Sequence, residues 1–147
     1  MKSNVLKRVL SFILLITMLM ISTVSFAAKP QTDNIQWSHI YTVANYLQDN
    51  STWLSKKLEF YGQLITYDNR YAGITAQLQK LGNDGITWSD VSGKYYEVYE
   101  EDNVAEIYEQ KIGVSSGTYR FYIEYTAYTT GGLALETVYG YSNTVSV

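Results

Sequence analysis

The chain has 147 residues, a formal net charge of −3 and no cysteine. Because cysteine is absent, disulfides, thiol nucleophiles and a lipid anchor on an N-terminal thiol are excluded, and packing and hydrogen bonds must hold the fold. The acidic balance disfavours nucleic acid and anionic membrane surfaces as partners.

Residues 1–27 predict a cleaved signal peptide. A head with three basic residues at positions 1–8 precedes a run, 9–26, that carries no charge. Ser25 and Ala27 supply the small side chains that a signal peptidase requires, so the exported protein is expected to begin at Ala28. Removing these 27 residues leaves 120 residues with a formal charge of −6, which is enough for one domain with its own core.

An uncleaved membrane anchor is the alternative. Residues 9–28 form 20 consecutive positions without a charge, a length that crosses a hydrocarbon core of about 30 Å. Polar residues gather at the C-terminal end of this run, directly before the cleavage site, and favour removal. We therefore expect a secreted, extracellular protein that makes no membrane contact after cleavage.

Residues 28–57 predict an N-terminal leader and one short helix. Positions 28–34 are polar and include Pro30, which is typical of a flexible leader. Four apolar residues then recur at helical spacing before a polar stop at 49–51: Ile40, Val43, Ala44 and Leu47. An irregular first strand is the alternative for positions 35–53.

Residues 58–147 predict a β domain, because the apolar period changes from helical to two. The runs 58–64 and 74–78 alternate apolar and polar residues, and with the turn at 68–70 between them they predict a hairpin. A Gly-Asn-Asp-Gly turn follows and leads into a strand with Trp88 as its large inward side chain.

Two further stretches complete the predicted strands. Residues 95–112 predict two strands around an acidic loop at 100–103, with a short helix at 102–110 as the alternative. Residues 119–127 alternate most clearly, with the odd positions facing inwards, and a Gly-Gly turn follows. Six or seven short strands with turns about every 8–12 residues are typical of an all-β, antiparallel sandwich.

The sequence Ser116-Gly117-Thr118-Tyr119 leads into this clearest strand. With the strand and the Gly-containing turn that follow, residues 114–142 resemble the last two strands of fibronectin type III and other immunoglobulin-like domains. In those folds the tyrosine that begins the strand forms a tyrosine corner, its hydroxyl bonded to nearby backbone. The resemblance implies an immunoglobulin-like sandwich in which Tyr119 occupies that position.

The broader layout combines a signal peptide, a Trp after a Gly-rich turn (Trp88), a Gly-x-Tyr-Arg strand and a C-terminal Val-x-Val. This layout resembles the small secreted β proteins of unknown function from Gram-positive bacteria. That group has no established activity, so the resemblance implies a fold and a location but no chemistry.

Few residues could perform catalysis, which predicts a protein with no enzymatic activity and no cofactor. His39 is the only histidine, so a Ser-His-Asp triad or a multi-histidine metal site has almost no support. Six acids lie within 13 positions: Glu97, Glu100, Glu101, Asp102, Glu106 and Glu109. Paired carboxylates can hydrolyse glycosides or bind calcium, but a solvated acidic loop is the favoured interpretation. A small carboxylate-dependent hydrolase is the third hypothesis.

The other candidate feature is the set of fifteen tyrosines. The strand phases place the candidate binding residues on outer faces: Tyr61, Tyr71, Tyr122 and Tyr128. Exposed tyrosines could stack on sugar rings or form a protein-binding patch, and cross-strand tyrosine pairs that only stabilise the sheet are the alternative. We interpret the chain as a secreted, non-catalytic interaction or structural protein, with a carbohydrate- or cell-wall-binding module as the alternative. The expected partner is a neutral glycan or another extracellular protein.

Overall fold

The computed structural model describes residues 37–147, and this part of the chain is all-β, as predicted. Its strands are β1 (Ile40–Asp49), β2 (Lys57–Thr66), β3 (Tyr71–Leu81), β4 (Trp88–Glu100), β5 (Val104–Gly113), β6 (Thr118–Tyr128), β7 (Ala134–Tyr141) and β8 (Val145–Ser146). The predicted signal peptide, the cleavage site at Ala27 and Ala28 and the polar leader lie outside the described residues. Within residues 37–147 there is no helix long and apolar enough to cross a membrane.

The strands form two antiparallel sheets that pack face to face, which confirms the predicted sandwich. One sheet has three strands in the order β1-β2-β5. The other has five, in the order β4-β3-β6-β7, with β8 paired to β6. Outer faces are therefore available on both sheets, and the larger one belongs to the five-stranded sheet.

The core lies between the inner faces of the two sheets. Alternate residues of β2 are buried, including Leu58, Phe60 and Leu64, and alternate residues of β3 and β6 face them. The rings of Phe60 and Phe121 stack across the core with centroids 4.0 Å apart. Burying side chains of this size contributes about 1.5–3 kcal/mol each, which is how a chain without disulfides holds its sheets together.

The predicted N-terminal helix is wrong, because Ile40–Asp49 forms the edge strand β1. It pairs with β2 from Ile40↔Thr66 to Asp49↔Leu58, so the sandwich includes residues upstream of position 58. A bulge between Ile40 and Thr42 shifts the strand by one residue. Ile40 and Leu47 thus both point into the core although their separation is odd, and this change of parity hid the two-residue period.

The predicted hairpin between residues 58–64 and 74–78 is also wrong. β2 pairs with β1 and β5, whereas β3 pairs with β4 and β6. The turn at 68–70, with Asn69 at a φ of 60°, carries the chain from one sheet to the other. An alternating pattern shows which side of a strand is buried, but it does not show which strand lies beside it. Two strands in opposite sheets, facing each other across the core, have the same pattern as two paired strands in one sheet.

Two other predicted connections are confirmed. The turn at 82–85 joins the paired strands β3 and β4: the Gly82 N–H donates to the Thr87 carbonyl at 2.7 Å, and Gly85 has a φ of 69° that favours glycine. The stretch 95–112 forms two strands around an acidic loop, so the alternative helix at 102–110 does not form. These two strands, β4 and β5, lie in different sheets.

The predicted phase of β6 is confirmed, since its odd positions from Tyr119 to Ala127 are buried. The Tyr119 hydroxyl donates to the Ser115 carbonyl at 2.9 Å, and the Ser115 hydroxyl lies 3.1 Å from the same phenol. The expected bond to nearby backbone is therefore present. It ties the loop before β6 to the end of the core.

Tyr119→Phe is expected to lower the free energy of unfolding by about 1–3 kcal/mol, because the Ser115 carbonyl loses its donor in a partly buried place. Tyr122→Phe is the control, since Tyr122 stands on the outer face of the same strand, and it should cost almost nothing. Urea melts of the two variants give the comparison. Equal losses would contradict the assignment of Tyr119 as the structural tyrosine.

Candidate functional site

The outward tyrosines form separate clusters and not one continuous row. Tyr122, Tyr139 and Tyr141 form the Tyr122 cluster on the five-stranded sheet, with centroids of Tyr122 and Tyr139 6.1 Å apart and their planes within 10°. Tyr141 lies 5.6 Å from Tyr122. At the other end of the same face, Tyr99 lies 6.1 Å from Tyr71 and 5.3 Å from Tyr128.

Tyr61 lies on the other sheet, so it does not share a face with the other three predicted binding tyrosines. Its ring stacks on Tyr46 at 5.5 Å and meets the edge of Tyr108 at 6.4 Å. Of the four predicted binding tyrosines, only Tyr71 and Tyr128 are direct cross-strand partners. Sheet order decides this, because β2 carries Tyr61 into the three-stranded sheet.

Tyr128 has a structural role beside any contact it makes with a partner. A Cβ built on Gly73 would lie 2.8 Å from the Tyr128 ring, so the ring rests directly on the glycine. An aromatic side chain that covers a strand glycine shields the backbone there. The Tyr122 cluster is therefore the better candidate for ligand contact.

A groove of about 380 Å³ runs along the outer face of the five-stranded sheet beside the Tyr122 cluster. Its lining comes from four adjacent strands: Thr75, Gln77, Gln79, Asp90, Tyr95, Tyr122, Glu124 and Tyr141. Tyrosines of β4, β6 and β7 form its walls, and the polar side chains of β3 form its floor. β3 and β6 each contribute residues of one parity to this face. On β4 the register shift in the pairing with β3 puts both Asp90 and Tyr95 on it, opposite Gln79 and Gln77.

Arg120 fixes one wall of the groove. Its guanidinium lies between two aromatic rings, 4.2 Å from the centroid of Trp88 and 3.8 Å from that of Tyr141. The Arg120 Nε donates to the Gln79 Oε1 at 3.0 Å, and the Gln79 Nε2 donates to the Asp90 Oδ1 at 3.0 Å. Cation–π contacts of this kind contribute about 0.5–2 kcal/mol, so the rings and polar groups are ordered before any ligand arrives.

The prediction that Trp88 points inwards is wrong. Trp88 pairs with Leu81, which has the outward parity of β3, and residues directly opposite in an antiparallel pair share one face. Val91, not Trp88, is the residue from this part of β4 that packs against the core. The indole therefore contributes to the outer face, beneath the guanidinium of Arg120.

Gln77 is held rigidly in the floor of the groove. A register shift between Gln77 and Gln79 marks a bulge in the β3–β4 pairing. The Gln77 Nε2 donates to the carbonyls of Leu78 at 2.9 Å and Val91 at 3.1 Å. Among the described residues no group donates to its Oε1, so this oxygen has capacity to accept a hydrogen bond.

The groove is rich in hydrogen-bond acceptors and carries negative charge. Asp90 and Glu124 both line it. Partial burial, followed by the nearby charge of Glu124, raises the pKa of Tyr122 above its ordinary value. Its phenol is therefore protonated and able to donate at neutral and mildly alkaline pH. The arrangement suits an uncharged ligand that offers several donors.

Stability is expected to fall as pH rises above about 10, because tyrosines of the unfolded chain ionise there. Burial raises the pKa of Tyr125, and burial together with Glu106 raises that of Tyr61 to about 12. Below this pH window the phenols of Tyr61 and Tyr125 are protonated in both the folded and the unfolded chain, so they do not make the free energy of unfolding depend on pH. Within it the unfolded state binds fewer protons, so the free energy of unfolding decreases with pH.

Urea melts between pH about 8 and about 11 measure this dependence. Tyr125→Phe removes the most buried of these phenols, which accepts a bond from Asn45 Nδ2 at 3.0 Å. The Tyr125→Phe variant is expected to be less stable than the parent protein at neutral pH, but its free energy of unfolding should fall less steeply as the pH rises. An unchanged slope would show that Tyr125 does not contribute.

The acidic residues do not converge on a second site. They are spread over β4, the loop after it and β5, and Glu106 accepts bonds from the Tyr61 hydroxyl at 2.9 Å and the Gln63 amide at 2.6 Å. His39 contributes its backbone N–H to Glu136 at 2.7 Å. In residues 37–147 there is no group of three or more His, Asp or Glu side chains that could hold a metal ion.

Comparison with protein-family models, with curated proteins and with solved structures finds no match for this chain. The chemistry of the groove therefore rests on its own geometry. Sequence reasoning missed Arg120, Gln77 and Gln79 as site residues. The predicted strand phases already turned all three outwards, and the missing information was the order of the strands in the sheet.

Proposed function

We propose that this chain is an exported, non-catalytic interaction protein that binds an extracellular partner through the outer face of its five-stranded sheet. The observation that carries the proposal is the Tyr122 cluster. Its members Tyr139 and Tyr141 are 57% and 51% exposed, although both carry large aromatic side chains. Grouped exposed aromatics beside a groove are typical of interaction surfaces, because tyrosine offers contact area with a polar tip.

The absence of catalysis is part of the proposal and is supported by how the carboxylates are used. Asp90 is bonded to Gln79, and Glu124 lies beside the Tyr122 phenol. A hydrolase needs two carboxylates aimed at one scissile bond. In the groove Asp90 instead accepts a neighbouring amide, and both acids lie in a site that is open to solvent.

Replacing Tyr122 and Tyr139 together by Ser should abolish retention of the secreted protein on its native cell surface or partner. The melting curve should change little, because both side chains stand outside the core. The matched control is Tyr41→Ser with Tyr67→Ser, a pair of exposed tyrosines elsewhere on the molecule, in edge-to-face contact at 5.7 Å. Equal retention of the two double variants, or unfolding of the first alone, would overturn the proposal.

A further inference from the structure

We propose that the groove on the five-stranded sheet binds a neutral glycan chain, with sugar rings against Tyr95, Tyr122 and Tyr141 and sugar hydroxyls on its polar floor. This inference rests on the proposed function and narrows it to one class of ligand. It follows from the shape, the charge and the order of the groove.

Aromatic and polar surfaces alternate across the groove. Tyr95 on β4 stands on one side, and Tyr122 and Tyr141 on β6 and β7 stand on the other. The C–H face of a pyranose packs on an aromatic ring, while its equatorial hydroxyls project sideways. A volume of about 380 Å³ lies within the range of about 300–1,000 Å³ usual for small-ligand sites. A polar floor between aromatic walls fits a sugar better than it fits an apolar protein side chain.

The charge of the groove selects against acidic ligands. Asp90 and Glu124 are both in the lining. The guanidinium of Arg120 lies between Trp88 and Tyr141, and Arg120 is not among the residues that line the groove. Among the residues that the structure describes, the lining offers a uronic acid or a phosphate two carboxylates and neither a lysine nor an arginine. Hydroxyl groups, by contrast, can donate to Asp90 and to the Gln77 Oε1, which accepts no bond from another described residue.

The order of the groove lowers the entropic cost of binding. Arg120 holds Tyr141 by stacking and Gln79 by a hydrogen bond, and Gln79 in turn orients Asp90. Arg120 and Gln79 are thus positioning residues that act through Tyr141 and Asp90. Groups that are immobilised before association lose less freedom on binding, which increases affinity without a new contact.

The experiment is an NMR titration of the whole exported chain with three probes: a cello-oligosaccharide, a chitin oligosaccharide and an anionic galacturonate oligomer. At least one neutral probe should shift the side-chain amide signals of Gln77 and Gln79 and the indole signal of Trp88 in a saturable way. The galacturonate oligomer should not. Binding of the anionic probe as tight as that of every neutral one, or no saturable shift with either neutral probe, would overturn the inference.

Matched variants locate the binding. Tyr122→Ala should weaken the neutral probe about tenfold or more, the loss usual for an aromatic hot spot. Tyr61→Ala, on the other sheet, should leave affinity unchanged. Arg120→Lys keeps the charge but loses the planar stack, so it should weaken binding several-fold, whereas Lys94→Arg should not.

The two proposals fail in different ways. If the Tyr122 and Tyr139 double variant loses retention on its native partner while no neutral oligosaccharide shifts the groove, the interaction face stands and the glycan assignment is wrong. If retention is unaffected and no oligosaccharide binds, both are wrong. Equal weakening by Tyr61→Ala and Tyr122→Ala would place any sugar binding outside the groove and would also overturn the inference.

Discussion

Phe121→Ala is expected to lower the free energy of unfolding by about 3–5 kcal/mol, which is the usual cost of truncating a buried phenylalanine. Phe121 is fully buried, and its ring stacks on Phe60 of the other sheet at 4.0 Å and lies 5.9 Å from Tyr96. Truncation therefore removes a contact within one sheet and the main aromatic contact between the two. With no disulfide in the chain, no covalent link compensates for that loss.

Urea unfolding followed by circular dichroism measures this loss. Phe121→Leu is the control, because it keeps most of the apolar volume and loses only the ring stacking, so its cost should be clearly smaller. A loss below about 1 kcal/mol for the alanine variant, within the range of ordinary substitutions, would show that the Phe60–Phe121 stack does not hold the sheets together.

Period-two alternation predicted most of the strands, because each strand buries one face and exposes the other. It succeeded for β6, where every odd residue from Tyr119 to Ala127 is buried. It failed for β1, where the bulge after Ile40 reverses the parity. A bulge is a property of the pairing between two strands, so the pattern of one strand does not reveal it.

The pattern of a single strand also does not show which other strands it pairs with. Residues 58–64 and 74–78 showed the right inward faces, yet they belong to opposite sheets. The missing pairing information also explains why the sequence predicted only part of the candidate site. Tyr122 was correctly turned outwards, but its neighbours Tyr139 and Tyr141 come from β7, whose position beside β6 depends on long-range pairing.

The open side between β1 and β7 is closed by side chains and not by strand pairing. The Glu136 carboxylate on β7 accepts the backbone N–H groups of Ser38, His39 and Ile40 at 3.1, 2.7 and 3.0 Å. At the other end of β1, the Asn143 amide accepts from the Leu47 N–H at 2.9 Å and donates to its carbonyl at 2.7 Å. Each residue substitutes for a missing strand neighbour, which protects an edge that would otherwise be free to pair.

Glu136→Ala is therefore expected to lower the free energy of unfolding by about 2–3 kcal/mol, because hydrogen bonds to charged groups are individually strong and three backbone donors lose their acceptor together. Glu97→Ala, which removes an exposed carboxylate on β4, is the control and should change stability by less than about 0.5 kcal/mol.

Amide hydrogen exchange adds the spatial test. In the Glu136 variant the amides of His39 and Ile40 should exchange much faster, while the Leu47 amide, held by Asn143, should keep most of its protection. Equal acceleration along all of β1 would mean that Glu136 supports the whole strand. No acceleration at Ile40 would mean that the carboxylate does not anchor the start of the sandwich.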